Sequence, residues 1–229
     1  MLDIENILLQ ISVMALPALL AITLHEAAHG YAALHFGDDT AKRQGRLSLN
    51  PLRHIDPLGT VILPLVMFAT TGFMFGWAKP VPVDFRNLRN PRRDMVWVAA
   101  AGPAVNIVLA VVSALLLHTA NLVPDFMAQW FVRNLAISLQ FNVLLACFNM
   151  IPLPPLDGGR VAVGLLPDAL AFPLARLERY GMFILIGVVF LIPFIAGKLG
   201  YDFSPLGMVL LPVVDMVVDW IVRLTGIMG

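Results

Sequence analysis

The stretch ITLHEAAHGYAALHFG, residues 22–37, sets His25, Glu26 and His29 into a run that is otherwise apolar. The pattern is H-E-x-x-H. Four residues make slightly more than one helical turn, so both imidazoles project from one face and can hold one zinc ion. Glu26 lies about 100° round the helix from His25. That places it beside such an ion, where it can take a proton from an attacking water and later deliver it to a leaving amine. Polar groups inside a lipid-embedded helix are costly and usually mark a functional interior. His35 is different: near the helix end it can reach interfacial water, and it reads as an ordinary interfacial histidine.

A zinc hydrolase needs a third protein ligand and an open position for water. Asp157, in NMIPLPPLDGGR, is the strongest candidate. Pro152, Pro154 and Pro155 prevent a regular helix, and irregular backbone at membrane depth is tolerated only where it lines protein or a wet cavity. Gly158 and Gly159 are expected to let this segment approach the metal helix. His54 lies on the correct side and stays a candidate. Asp38 and Asp39 follow the metal helix directly and read as solvated. Asp168 and Asp202 fall in loops, and His118 falls at the opposite membrane face.

The elements that must position these residues follow from composition. Of 229 residues, 59% are hydrophobic and 13% charged, against about 25% charged in an ordinary soluble domain. The chain is a polytopic membrane protein with the lipid bilayer as its surroundings. Its net charge is zero, so no basic field attracts nucleic acid. Cys147 is the single cysteine and excludes an intrachain disulfide. The N-terminus has no basic region followed by a small-residue cleavage site, so no removable signal peptide is expected.

A spanning helix needs about 20 mostly apolar residues. Residues 7–36, with Pro17 as a kink, meet this, as do 95–118, 133–150, 180–197 and 206–224. Asp215 and Asp219 read as a polar face near the end of the last one. The apolar run 57–75 is also long enough to span. However, Lys42, Arg43, Arg46 and Arg53 precede it, and Lys79, Arg86, Arg89, Arg92 and Arg93 follow it. Positive residues collect on the cytoplasmic side, so this run is expected to dip into the membrane and return. Alternation around Lys79–Val83 reads as a short strand. Residues 119–132, with Asp125 their only acid, suit an outside loop. Residues 160–179, with Arg160, Arg176 and Arg179, suit an inside loop.

The expected fold is therefore an all-α polytopic membrane protein. It has five spanning helices, a re-entrant apolar segment and a short cytoplasmic-side β strand or hairpin, all in one domain over 1–229. The catalytic core is expected over about 7–168, with C-terminal helices over about 180–224. The re-entrant segment has a second justification: had 57–75 spanned the membrane, Asp157 would emerge on the opposite face from His29.

At these residues the chain resembles the site-2 protease family of intramembrane zinc metalloproteases. HEAAHG at 25–30, AGPAVN at 101–106 and FNMIPLPPLDGGR at 148–160 carry the resemblance. GRLSLNPLRHIDPLGT at 45–60 and GWAKPVPVDFRNLRNPRRD at 76–94 are similar to the short prokaryotic branch. The likeness covers roughly residues 20–165; the last two helices match only as hydrophobic segments. It implies one zinc ion held by His25, His29 and Asp157, with Glu26 as general base. It also implies a transmembrane protein as substrate, cut near the cytoplasmic face of a prokaryotic cell membrane. No helix before the metal helix, no PDZ insertion and no CBS domain are expected.

Two asparagines gain meaning from that resemblance. Asn106 is expected to point its amide into the site, and Asn149 to hold substrate backbone or stabilise the oxyanion. Helix–helix hydrogen bonding is the plainer role for both. His54 then has three candidate roles: gate, substrate contact or resting-state ligand. The WAKPVPV stretch offers an edge to an unwound substrate. The rival function is a metal-ion transporter or sensor built on the same ligands, which would not need a glutamate beside His25.

Overall fold

The computed structural model describes residues 4–62, 66, 79–201 and 203–227. Seven helices carry the architecture. These are α1 (Ile4–His35), α2 (Pro91–Leu117), α3 (Asp125–Asn149), α4 (Asp157–Leu165), α5 (Asp168–Arg176), α6 (Glu178–Lys198) and α7 (Pro205–Thr225). Among the described residues, five stretches are long and apolar enough to cross a membrane: Ser12–His35 of α1 and the whole of α2, α3, α6 and α7. The chain is a multi-pass membrane protein.

The spans end where the sequence supplies a stop or a cap. Pro91 opens α2, where its missing N–H costs nothing, and Asp94 accepts from the Asn90 N–H at 2.8 Å to close the first turn. Ser204 caps α7 through the Gly207 N–H, and Gly226, at φ 72°, ends it in the left-handed region. His118 donates to the Thr225 carbonyl at 2.8 Å, pinning the end of α7 to the end of α2.

Small residues let the central helices approach closely. Ala110 and Ala114 of α2 pack with Leu139 and Val143 of α3 and with Leu210 and Val214 of α7. In lipid, such contact replaces the hydrophobic drive that packs helices in water. A second cluster, Ala33, Leu88 and Val98, joins the end of α1 to α2.

Three expectations change. The third span begins at Asp125 rather than 133, directly after Pro124, and takes Arg133 into the helix. The stretch 160–179, expected as a loop, is mostly helical. It holds most of α4, which starts at Asp157 just before it, and all of α5, which starts at Asp168; an aspartate suits the positive end of a helix dipole. Finally, no strand occurs among the described residues. Pro80 and Pro82 explain the deceptive alternation at Lys79–Val83: neither has an N–H to give to a β ladder. Of the apolar run 57–75, Pro57–Ile62 forms a π-helical turn. The remainder, except for Val66, lies outside the described residues, and with it the expected dip.

Candidate metal centre

His25 and His29 point from one face of α1 toward Asp157, the first residue of α4. Their Nε2 atoms are 3.0 Å apart and lie 3.2 and 3.3 Å from Asp157 Oδ2. Donors about 2.0–2.1 Å from a tetrahedral zinc ion are themselves roughly 3.4 Å apart. The three atoms therefore already stand near the corners of such a site.

The partners on the far side of each ring fix which nitrogen faces inward. His29 Nδ1 lies 2.7 Å from the Val98 carbonyl. A carbonyl only accepts, so Nδ1 carries the proton and the neutral ring presents a bare Nε2. His25 Nδ1 donates likewise to Asn106 Oδ1 at 2.5 Å. Asp157 Oδ2 is buried and has no hydrogen-bond partner among the described residues. Two lone pairs and an orphaned carboxylate oxygen thus converge within the membrane-embedded bundle. A single divalent cation satisfies all three, and this donor set suits zinc.

Gly102 keeps that point open. A Cβ built there would sit 2.5 Å from His29 Nε2 and 2.6 Å from His25 Nε2. No side chain fits at this position on α2 without entering the site. The sequence held one signal for this residue, a glycine before Pro103 inside an uninterrupted apolar helix.

Asp157 reaches the centre because the chain before it folds back tightly. Leu153 donates to Ile151 at 2.7 Å and Leu156 to Leu153 at 3.0 Å. Gly158 and Gly159 serve this turn rather than contact with α1. A Cβ on Gly158 would lie 2.2 Å from the Met150 carbonyl oxygen, and one on Gly159 would lie 2.2 Å from Pro154 N.

Glu26, half-buried on the same turn as the histidines, accepts a hydrogen bond from the Val81 N–H at 2.7 Å. Val81 side-chain atoms fill the space above Gly30, where a Cβ would come within 2.8 Å of Cγ1. Arg46 holds the same segment by donating to the carbonyls of Lys79 at 3.0 Å and Pro80 at 3.4 Å.

Other singled-out residues have plainer settings. Buried His54 donates from Nε2 to the Ser48 carbonyl at 2.8 Å and is not part of the ligand group. Asn149 gives its amide hydrogen to Leu145 of its own helix at 2.9 Å. His35 is exposed, its ring edge-on to Phe36.

Asp38, expected to be solvated, is 1% exposed. It accepts from the Thr40 N–H and hydroxyl, from Asn87 Nδ2 at 3.0 Å and from the Asp84 N–H at 2.8 Å. Burial alone would push its carboxyl up. These donors outweigh that and hold it below the usual carboxylate range.

With this geometry in view, the relatives are informative. A Bacillus subtilis protein named "Putative zinc metalloprotease YwhC" is 38% identical over 192 residues, covering 82% of each chain. The chain belongs to the site-2 protease family. Two further members, both named "Putative zinc metalloprotease Rip2", come from mycobacteria. The Mycolicibacterium smegmatis protein is 32% identical over 73% of this chain and 62% of its own. The Mycobacterium tuberculosis protein is 31% identical over 78% and 66%. No family model and no solved structure matches the chain.

Proposed function

We propose that this family member is an intramembrane zinc endopeptidase that cuts transmembrane segments of membrane proteins near the cytoplasmic face. The observation that carries the reading is the meeting of bare His25 Nε2, bare His29 Nε2 and orphaned Asp157 Oδ2, with Glu26 on the same helical turn. Those three residues would hold one zinc ion per chain, which when bound would supply Lewis acidity to the scissile carbonyl and to the attacking water.

The chain's own groups do the rest. Glu26 takes the proton from the attacking water and returns it to the leaving amine. Asn106 and the Val98 carbonyl keep both imidazoles in the ligating tautomer. Asn149 is assigned to substrate backbone or the oxyanion, and His54 to the loop that admits substrate.

Substrate access suits this placement. An apolar cavity of about 700 Å³ is walled by Ala100, Pro103 and Ala104 of α2, Cys147 of α3, and Val209 and Val213 of α7. Its α2 wall belongs to the turn that carries Gly102. A transmembrane segment received there must unwind, because a helical peptide bond is shielded by its own hydrogen bonds. The basic stretches 42–53 and 79–93 support an opening on the cytoplasmic side of the cell membrane.

The test compares purified wild type with Glu26→Gln on a panel of single-span membrane proteins. Both should retain zinc, and only wild type should cleave. Equal cleavage by the two removes Glu26 as the base. Metal movement across vesicles without proteolysis replaces the reading with transport.

A further inference from the structure

Behind Asn106 lies a residue to which neither the motif nor the resemblance assigns a role. Asn106 is fully buried, and its Nδ2 donates to Asn142 Oδ1 on α3 at 2.8 Å. A second, longer contact from the same Nδ2 goes to the Ala21 carbonyl at 3.3 Å. Asn142, 1% exposed, donates in turn from Nδ2 to the Ser138 carbonyl at 2.8 Å. A main-chain carbonyl cannot donate, so the Ser138 carbonyl fixes the direction of Asn142, while the Ala21 carbonyl backs the same orientation of Asn106 over its longer contact. Asn142 must turn its NH₂ to Ser138 and therefore its oxygen to Asn106. Asn106 must then turn its NH₂ to Asn142 and its oxygen to His25 Nδ1. His25 must protonate Nδ1 and leave Nε2 bare.

We infer that Asn142 is a positioning residue for the metal centre, acting through Asn106 to set the tautomer and aim of His25. The inference rests on the metal reading of the site. A primary amide is nearly symmetric in shape, and only its partners decide which end points where. An Asn106 turned end for end would present NH₂ to Nδ1, place the ring proton on Nε2 and block the ligand. In a low-dielectric interior the wrong orientation leaves buried donors facing donors, so the chain of amides is effectively locked. Ser113 provides a contrast. Its hydroxyl joins Ser138 Oγ at 2.7 Å across the same two helices, and Ser138 Oγ lies 3.3 Å from Asn142 Nδ2, but a hydroxyl can donate or accept, so this branch does not set the polarity of Asn106.

The experiment measures zinc affinity by chelator competition, together with the absorption bands of the Co²⁺-substituted protein. Wild type, Asn142→Leu, Asn142→Asp and Ser113→Ala are compared, each checked for helicity and thermal midpoint. Loss of an outer-shell partner typically weakens metal binding about 10–100-fold, and Asn142→Leu is expected near the lower figure, with altered Co²⁺ bands. Asn142→Asp should restore tight binding, since a carboxyl group in either protonation state still accepts from Asn106. Ser113→Ala should bind zinc as wild type does, even if its midpoint falls.

An Asn142→Leu protein that binds zinc as tightly as wild type, whatever its midpoint, overturns the inference. So does equal weakening by Ser113→Ala, which would make Asn142 mere glue between α2 and α3. If Asn142→Leu does not fold, failure of Asn142→Asp to match wild-type affinity overturns it instead. Wild type that binds no zinc refutes the metal reading itself, a separate outcome.

Discussion

The main-chain N–H of Val81 donates to the Glu26 carboxylate at 2.7 Å, tying the proposed general base to a segment of alternating prolines. Pro80 and Pro82 have no N–H, so within 80–82 this donor is the one the backbone can offer. The bond goes to Oε2 of the carboxylate. Val81→Pro removes the donor while keeping backbone that proline already dominates. Hydrogen bonds to charged groups contribute about 1.5–3 kcal/mol. Turnover of a membrane substrate is expected to fall about ten- to hundredfold on that basis, with zinc content unchanged. Unaltered turnover would show that Glu26 is aimed by something else.

Gly102 makes a sharper demand. A single methyl there would stand 2.5 Å from one ligand nitrogen and 2.6 Å from the other, well inside contact distance. Both neighbours are rings locked from behind by Val98 and Asn106, so neither can swing away freely. Gly102→Ala should therefore lose zinc and proteolysis together while helicity stays intact. Zinc content measured by atomic absorption decides it, and full occupancy in the variant would refute the packing argument.

Some of this arrangement is legible in the sequence. Hydropathy finds the five long helices because spanning lipid demands some twenty apolar residues regardless of tertiary context. His25, Glu26 and His29 stand out because their polarity clashes with that background, and Asp157 because prolines break the helix before it. Asn142 does not stand out, since an asparagine inside a span reads equally well as helix glue, and only the Ser138 carbonyl gives it a direction. Asp38 looks like a solvated helix-end acid until Asn87 and Asp84, distant in sequence, fold over it. The Lys79–Val83 pattern alternates without pairing, because its period comes from prolines rather than from a buried strand face.

Asp38 couples acid to the stability of the turn that follows α1. Its folded carboxyl titrates below the ordinary value of 3.8. The unfolded chain therefore takes up its proton first as pH falls. The contribution is fully present above the unfolded value and is lost as pH drops toward the folded one. Asp38→Asn turns an NH₂ or a weaker acceptor toward four donors. It should cost about 1–3 kcal/mol at neutral pH, read as a lower thermal midpoint in detergent. The gap between wild type and variant should narrow below about pH 4. A gap that is constant down to pH 3 would mean the carboxylate charge is not what holds the turn.

The third ligand is the remaining choice, and distance separates the two candidates, since His54 Nδ1 is also buried without a partner among the described residues but lies outside the ligand group. Asp157 Oδ2 is buried, unpartnered and within 3.3 Å of both Nε2 atoms. His54 spends Nε2 on the Ser48 carbonyl and its own carbonyl on the Lys79 N–H at 2.9 Å, which makes it a brace between two loop segments. Asp157→Ala should reduce zinc content severely and abolish cleavage. His54→Ala should keep zinc, since no ligand is removed, and weaken only the brace, seen as faster hydrogen exchange at Lys79. The reverse result, zinc retained in Asp157→Ala and lost in His54→Ala, would transfer the third ligand to His54. Asp157 would then be reduced to an acid opening a short helix.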